Sequence, residues 1–453
     1  MNWFSALLGK RDDAAINHDE SDVPDFVPSP PAAATNIRRS LPRFRGTAAD
    51  QLCTGTRPLD RTRLQLRHAF TPARPIMDPA MLAGRTNLLR TMIRAIEDQY
   101  LHVVLFGPRG IGKTSLLHVL CGIAQQSRYL VRYVSCGERT SFDGLMRAVC
   151  ADIPLLFHAA YDPTGEEIEE GLSFADLLSD QPITVELASD LLGKVAGSRL
   201  LVVLDEFDRA SEAEFRRSVA ELIKNISDRG CRVQLIIAGV AHNLTEIIEH
   251  VPSIRRNILG LLVPNMAPTE IAELISNGQH ASGMTFTPKA LQLISLAALG
   301  LPYLASLVSQ HAGFAALDRD SLVIDHIDVE RGITQVLDHL ELRIPPDLRQ
   351  NLKSALAHGH EESLGTLAQL ALMNSFQLPQ PADDGSITAP GADQCAVPAD
   401  VVHRISDDYH LIKITSVHGS SERRFTDDGV PLYLWVRLMH RHVITSGGPT
   451  NTQ

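Results

Sequence analysis

The stretch "GPRGIGKTSLL", residues 107–117, decides the fold. It follows the apolar run "LHVVLF" (101–106) and leads into "SLLHVLCGIA" (115–124), which is apolar at helical spacing, so strand, glycine loop and helix are expected in that order. Gly107, Gly112, Lys113 and Thr114 satisfy G-x-x-x-x-G-K-[ST]. Glycines let the backbone curl until its amide hydrogens point inward at phosphate oxygens, with the positive end of the helix behind them. The whole loop, Gly107, Pro108, Arg109, Gly110, Ile111, Gly112, Lys113, Thr114 and Ser115, is therefore a candidate nucleotide site. Lys113 would reach the β and γ phosphates and Thr114 would offer its hydroxyl to Mg²⁺.

Further strands are expected at "YLVRYVSC" (129–136), "RLLVVLDE" (199–206), "RVQLIIAGV" (232–240) and "ILGLLVP" (258–264), alternating with helices. That alternation predicts an α/β fold, a parallel sheet with helices on both faces. In "RLLVVLDEFDR" (199–209) an apolar strand ends in two carboxylates, which puts Asp205 beside Mg²⁺ as a second metal-site residue and leaves Glu206 to polarise an attacking water. Because one strand intervenes between the loop and the acidic strand, the order fits the branch of phosphate-loop proteins with an inserted central strand and a catalytic glutamate.

Outside this core the pattern changes. Residues 1–75 read as an N-terminal arm, with the Pro and Ala run "VPDFVPSPPAAA" and then a basic stretch including Arg38, Arg39, Arg61, Arg63 and Arg67. Residues 76–266 hold the phosphate-loop core, including a helical segment over 137–198 with the acidic insertion "DPTGEEIEEG" (162–171). Residues 267–340 read as a helical lid, with Pro268, Pro288 and Pro302 each near a helix start, where a missing amide hydrogen costs nothing. Residues 341–453 read as a winged-helix-like α+β domain: helices at 348–358, 363–373 and 398–405, two strands around "HGSS" as a wing, and an apolar helix at 431–442. In it Arg404, Lys413, Arg423 and Arg424 are offset by Asp400, Asp407, Asp408, Glu422, Asp427 and Asp428, a balance that favours packing or protein docking over strong DNA binding.

Composition bounds the class. The chain has 453 residues, 44% hydrophobic and 21% charged, ordinary for globular protein, and a formal net charge of −11 that argues against a surface coated in phosphate-neutralising charge. Its six cysteines include no C-x-x-C pair and no histidine at metal-ligand spacing, so reduced thiols in a cytoplasmic protein are expected. The apolar run in "MNWFSALLGKRDD" is shorter than a secretory core of roughly 7 to 15 residues, so no membrane insertion is expected.

With these motifs in place the chain resembles the AAA+ ATPases over roughly residues 81–335, and within them the origin-recognition-like and STAND-like clades. "MLAGRTNLLRTMIRAI" (81–96) resembles the box ahead of the phosphate loop; Gly84 and Arg85 match it and Thr86 stands where the family has Glu. The resemblance implies base contacts around Leu82 to Arg85, and a polar γ-phosphate sensor at His242 or Asn243. It further implies an arginine finger at Arg255 or Arg256 in "PSIRRN" (252–257), acting in cis or in trans. "LGLPYLASLV" (299–308) resembles the lid motif, with Gly300, Leu301 and Pro302 as the G-x-P of STAND-like switches. The expected cofactors are ATP and Mg²⁺. The expected behaviour is that of an ATP-hydrolysing switch or remodeller with an unidentified protein partner and an ATP-dependent homo-oligomer; the alternative is a DNA-associated ATPase of replication, transposition or loader type.

Overall fold

In the computed structural model the described residues are 58–162, 164–166, 170–210, 212–240, 252–382, 385–389, 392–417 and 420–447. The first 57 residues of the expected arm, and the sensor candidates His242 and Asn243, lie outside them. The arm does not extend through residue 75: Pro58–Ala69 form helix α1, whose Leu66 is buried together with the adjoining Phe70. Burial of two such side chains contributes about 3–6 kcal/mol, which is why this segment packs although its overall composition is polar. Arg63 is held in place, with its guanidinium 2.6 Å from Asp318 and over the ring of Phe314.

The core follows in the expected alternation: α2 (Thr86–Glu97), β1 (His102–Phe106), α3 (Lys113–Gln126), β2 (Leu130–Ser135), α4 (Phe142–Ala151), α5 (Val185–Leu192), β3 (Leu200–Asp205), α6 (Ala213–Asp228), β4 (Val233–Gly239) and β5 (Ile258–Leu262). The five strands form one parallel sheet in the order β2-β3-β4-β1-β5, so β3 and β4 intervene between β2 and β1. Every residue of β3 and β4 is buried, which accounts for their unbroken apolar runs, whereas β2 at the edge is only half-buried. Apolar side chains of α4, α5 and α6 complete the core on this side of the chain, together with Phe174 and Phe207.

The segment expected as a helical lid contains α7 (Pro268–Ser282), α8 (Pro288–Ala298), α9 (Pro302–Asp318) and α10 (His326–Arg343), with a two-residue parallel pair, β6 (Thr285–Phe286) and β7 (Val323–Ile324), that periodicity could not show. Pro268, Pro288 and Pro302 occupy the first turn of their helices, as their missing amide hydrogens predict. The last unit contains α11 (Pro346–Ala357), α12 (Glu361–Met373), the β8 (Ile387–Ala389) and β9 (Ala392–Val397) hairpin, α13 (Ala399–Asp407), the β10 (Ile412–Val417) and β11 (Ser420–Phe425) hairpin, and α14 (Gly429–Gly447). Its order is thus helices, antiparallel hairpin and closing helix. This unit is docked on the lid: Trp435 of α14 is fully buried and its indole N–H donates to Ala297 O at 2.9 Å. All described residues belong to one compact unit.

Candidate functional site

The site grows from the C-terminal end of β1. Gly107 has φ +150°, and a Cβ there would lie 2.9 Å from Val263 O, so only glycine lets the loop leave the strand so close to the end of β5. Gly112, at φ +93°, turns the chain into α3 and is its N-cap. Lys113 follows, 8% exposed, with Nζ donating to Gly107 O at 2.8 Å and Pro108 O at 2.9 Å. Burial lowers its pKa to about 8, against the opposing pull of Asp208 and Asp205. A cation held over the loop's own carbonyls is a ready counter-charge for phosphate oxygens.

β3 carries the acidic pair to the same place. Asp205 is buried; its Oδ2 accepts from the Thr114 hydroxyl at 2.7 Å and from the Tyr133 hydroxyl at 2.6 Å, and its Oδ1 accepts from the Glu206 amide at 2.8 Å. Burial and the neighbouring carboxylate raise the pKa of Tyr133 well above the usual phenol range, so it remains a donor. Glu206 sits in the left-handed region at φ 54°, an uncommon backbone for a non-glycine residue and one that swings its carboxylate off the strand axis. Its Oε2 accepts from Arg209 at 2.7 Å and from Ser135 Oγ at 3.2 Å. The Thr114 hydroxyl and the Asp205 carboxylate are hard oxygen donors adjacent to a phosphate-binding loop, a donor set that fits Mg²⁺.

Around these groups lies a cavity of about 310 Å³. It is lined by the loop residues Arg109, Gly110, Gly112, Lys113, Thr114 and Ser115, by Asp205, Glu206 and Arg209, by Pro302 and Tyr303 of the lid, and by the segment 71–76 that follows α1. Ile76 donates its amide to Ser115 Oγ at 3.0 Å, which ties that segment to the phosphate loop. Tyr303 lies close enough to Gly110 that a Cβ there would be 3.2 Å from the tyrosine Cβ. Its hydroxyl accepts from Arg343 at 2.6 Å, at the very end of α10.

The structure gathers Lys113, Thr114, Asp205, Glu206 and Pro302 at one cavity and sends three expected residues elsewhere. Arg85 is 3% exposed and donates to Pro264 O at 2.7 Å and Ile111 O at 3.4 Å, so it braces the phosphate loop from behind and does not line the cavity. Arg255 and Arg256 precede β5 and are exposed; Arg256 is 3.4 Å from Asp228. In the parallel register His102 pairs with Ile258 and Phe106 with Leu262, so these arginines stand at the sheet edge opposite the phosphate loop. Roughly 13 Å of strand separates them from it, and neither reaches the loop of its own chain.

Several residues at the site carry no sequence signal. Tyr133, which touches Asp205 from outside the cavity lining, is two positions before the end of an ordinary strand, Arg209 ends a one-turn 3-10 helix (Phe207–Arg209), and 71–76 lies in a stretch without periodicity.

The sheet order, the glycine loop with its lysine, and the acidic strand beside it define a P-loop α/β protein. Residues 95–248, about a third of the chain, match the family model described as "AAA domain". No curated protein matches the chain. Among solved structures it is similar to the ORC1 protein of Aeropyrum pernix in complex with DNA, with 15% identity, 84% of this chain and 96% of that one covered, and a TM-score of 0.46. A Walker-type ATPase of Pyrococcus abyssi is 14% identical, with 81% and 99% covered and a TM-score of 0.46. The RuvB Holliday junction branch migration motor of Thermotoga maritima is 15% identical, with 76% and 93% covered and a TM-score of 0.40.

Proposed function

We propose that the protein binds ATP with Mg²⁺ between the phosphate loop and the lid, hydrolyses it, and uses the change in phosphate contacts as a conformational switch read out by the C-terminal unit. The observation that carries this reading is the composition of one cavity, to which the loop, the acidic pair of β3 and the lid all contribute. Lys113 and the loop amides hold the β and γ phosphates. Thr114 and Asp205 would hold Mg²⁺, which would supply charge neutralisation at the phosphate oxygens. Glu206 takes up the proton of the attacking water once its carboxylate turns from Arg209 and Ser135.

The route to the output runs through the lid. Tyr303 stands against Gly110 and is bonded to Arg343, and α11 begins just beyond Arg343. A change in what the loop holds is therefore felt one side chain away from the junction with the C-terminal unit, as a two-state element requires.

A protein partner suits that unit better than DNA. On α13, the helix before the wing, the exposed cation Arg404 faces a carboxylate, 2.5 Å from Asp400. Arg63 of the basic stretch is likewise paired.

The test is the molar mass of Glu206→Gln by light scattering, with ATP and Mg²⁺ or with ADP, alongside wild-type turnover with and without DNA. Retained ATP binding with turnover reduced about 10²- to 10⁴-fold is expected of this variant. An ATP-only increase in mass assigns Arg255 or Arg256 to a neighbouring copy. Wild-type turnover by Glu206→Gln would remove Glu206 as the water-activating group, and DNA-stimulated, steeply salt-dependent turnover would replace the protein partner with DNA.

A further inference from the structure

Asp205 is approached by three donors, and one of them serves no role in the mechanism above. The Thr114 hydroxyl and the Glu206 amide come from the loop helix and from the residue just after β3; the Tyr133 hydroxyl comes from the edge strand β2, at 2.6 Å from Oδ2. Sheet register explains how it reaches: Tyr133 pairs with Val203 and Ser135 with Asp205, so the phenol extends along the sheet toward the end of β3. Its ring is stacked on His118, with centroids 4.5 Å apart and planes at 22°. His118 lies one turn beyond Thr114 on α3, so both hydroxyl donors to Oδ2 are braced by the same helix.

A carboxylate oxygen offers two lone pairs. Both on Oδ2 are taken by hydroxyls, whereas Oδ1 accepts one amide and keeps a lone pair to offer. Removing the phenol would leave the carboxylate held by one hydroxyl and one amide. We propose that Tyr133 is a positioning residue for magnesium: its hydroxyl fixes the orientation of the Asp205 carboxylate. It acts through Asp205, and partners of this kind set metal affinity without touching the metal. The inference rests on the nucleotide reading of the site and adds to it a residue that neither nucleotide motif contains.

The experiment compares wild type with Tyr133→Phe, which keeps the ring for the His118 stack and removes only the hydroxyl. A fluorescent, non-hydrolysable ATP analogue is bound first without metal, then Mg²⁺ is titrated in, so that the readout is binding and not turnover. Tyr133→Phe should need about tenfold more Mg²⁺ to reach its midpoint, with unchanged metal-free affinity for the analogue and unchanged melting without nucleotide. Tyr133→Leu, read in the same way, replaces it should the first variant fail to fold. A titration that overlays the wild-type curve, or is tighter, overturns the proposal. If the wild-type protein does not bind the analogue at all, the nucleotide reading fails and this inference fails with it; binding that is identical with and without Mg²⁺ leaves the nucleotide site standing and overturns the inference.

Discussion

His102 opens β1, the strand that delivers the phosphate loop, and the structure predicts that it makes the sheet sensitive to acid. Its ring is 2% exposed. Nδ1 accepts the Leu235 amide hydrogen at 2.9 Å, so the proton of the neutral ring is on Nε2, which donates to Ser227 Oγ at 3.0 Å; Ser227 in turn donates to Ile223 O at 2.7 Å. Protonation would set an N–H against the Leu235 amide and place a charge between β1 and β4. Burial accordingly pushes the pKa down to about 4 from the ordinary 6.5.

The direction of the effect follows from linkage. Below 6.5 the unfolded chain takes up a proton that the folded chain refuses, so stability falls as pH drops through 6.5 toward 4 and levels off below that. For those two values the loss between about pH 7 and about pH 5 is roughly 2 kcal/mol from this one ring. Urea unfolding at both pH values measures it. His102→Asn keeps an acceptor for the Leu235 amide and does not titrate, and the contribution of other ionisable groups cancels in the difference between variant and wild type. Equal losses in the two proteins would refute the reasoning.

Two further expectations concern the site and its surroundings. Lys113→Ala should abolish tight ATP binding in a fluorescence titration, and wild-type affinity in that variant would remove the phosphate-site assignment. At Gly278, a Cβ would lie 2.1 Å from Cζ of Phe70, so Gly278→Ala must displace the ring that anchors α1 to the lid. The expected cost is about 1–3 kcal/mol with faster tryptic cleavage at Arg61, Arg63 and Arg67, and an unchanged cleavage rate would show that α1 is held by other contacts.

The parts of this protein that were legible in sequence are those whose physics is local. A buried parallel strand must be apolar along its whole length, so β1, β3 and β4 show as continuous runs. A backbone that must curl around phosphate needs glycine at fixed offsets, and a helix that begins with proline declares its first turn, as Pro302 does. Lys113, Thr114, Asp205 and Glu206 could therefore be placed from spacing alone.

What tertiary structure decided is what arises between distant segments. Segment 71–76 lines the cavity because Leu66 and Phe70 bury α1 and the start of that segment against the lid, an anchoring in long-range packing that leaves no period. Arg85 lies behind the loop and Arg255 and Arg256 at the far sheet edge because the β1–β5 register, not distance along the chain, sets which end of a strand faces the loop. Tyr133 meets Asp205 only because β2 pairs with β3 at one register, since a one-residue slip would turn the phenol to the other face of the sheet. Motif spacing placed Lys113, Thr114, Asp205 and Glu206 at the loop and the end of the acidic strand; strand order and register determined which other side chains join them, because hydrogen bonds across a sheet depend on pairing that no single segment encodes.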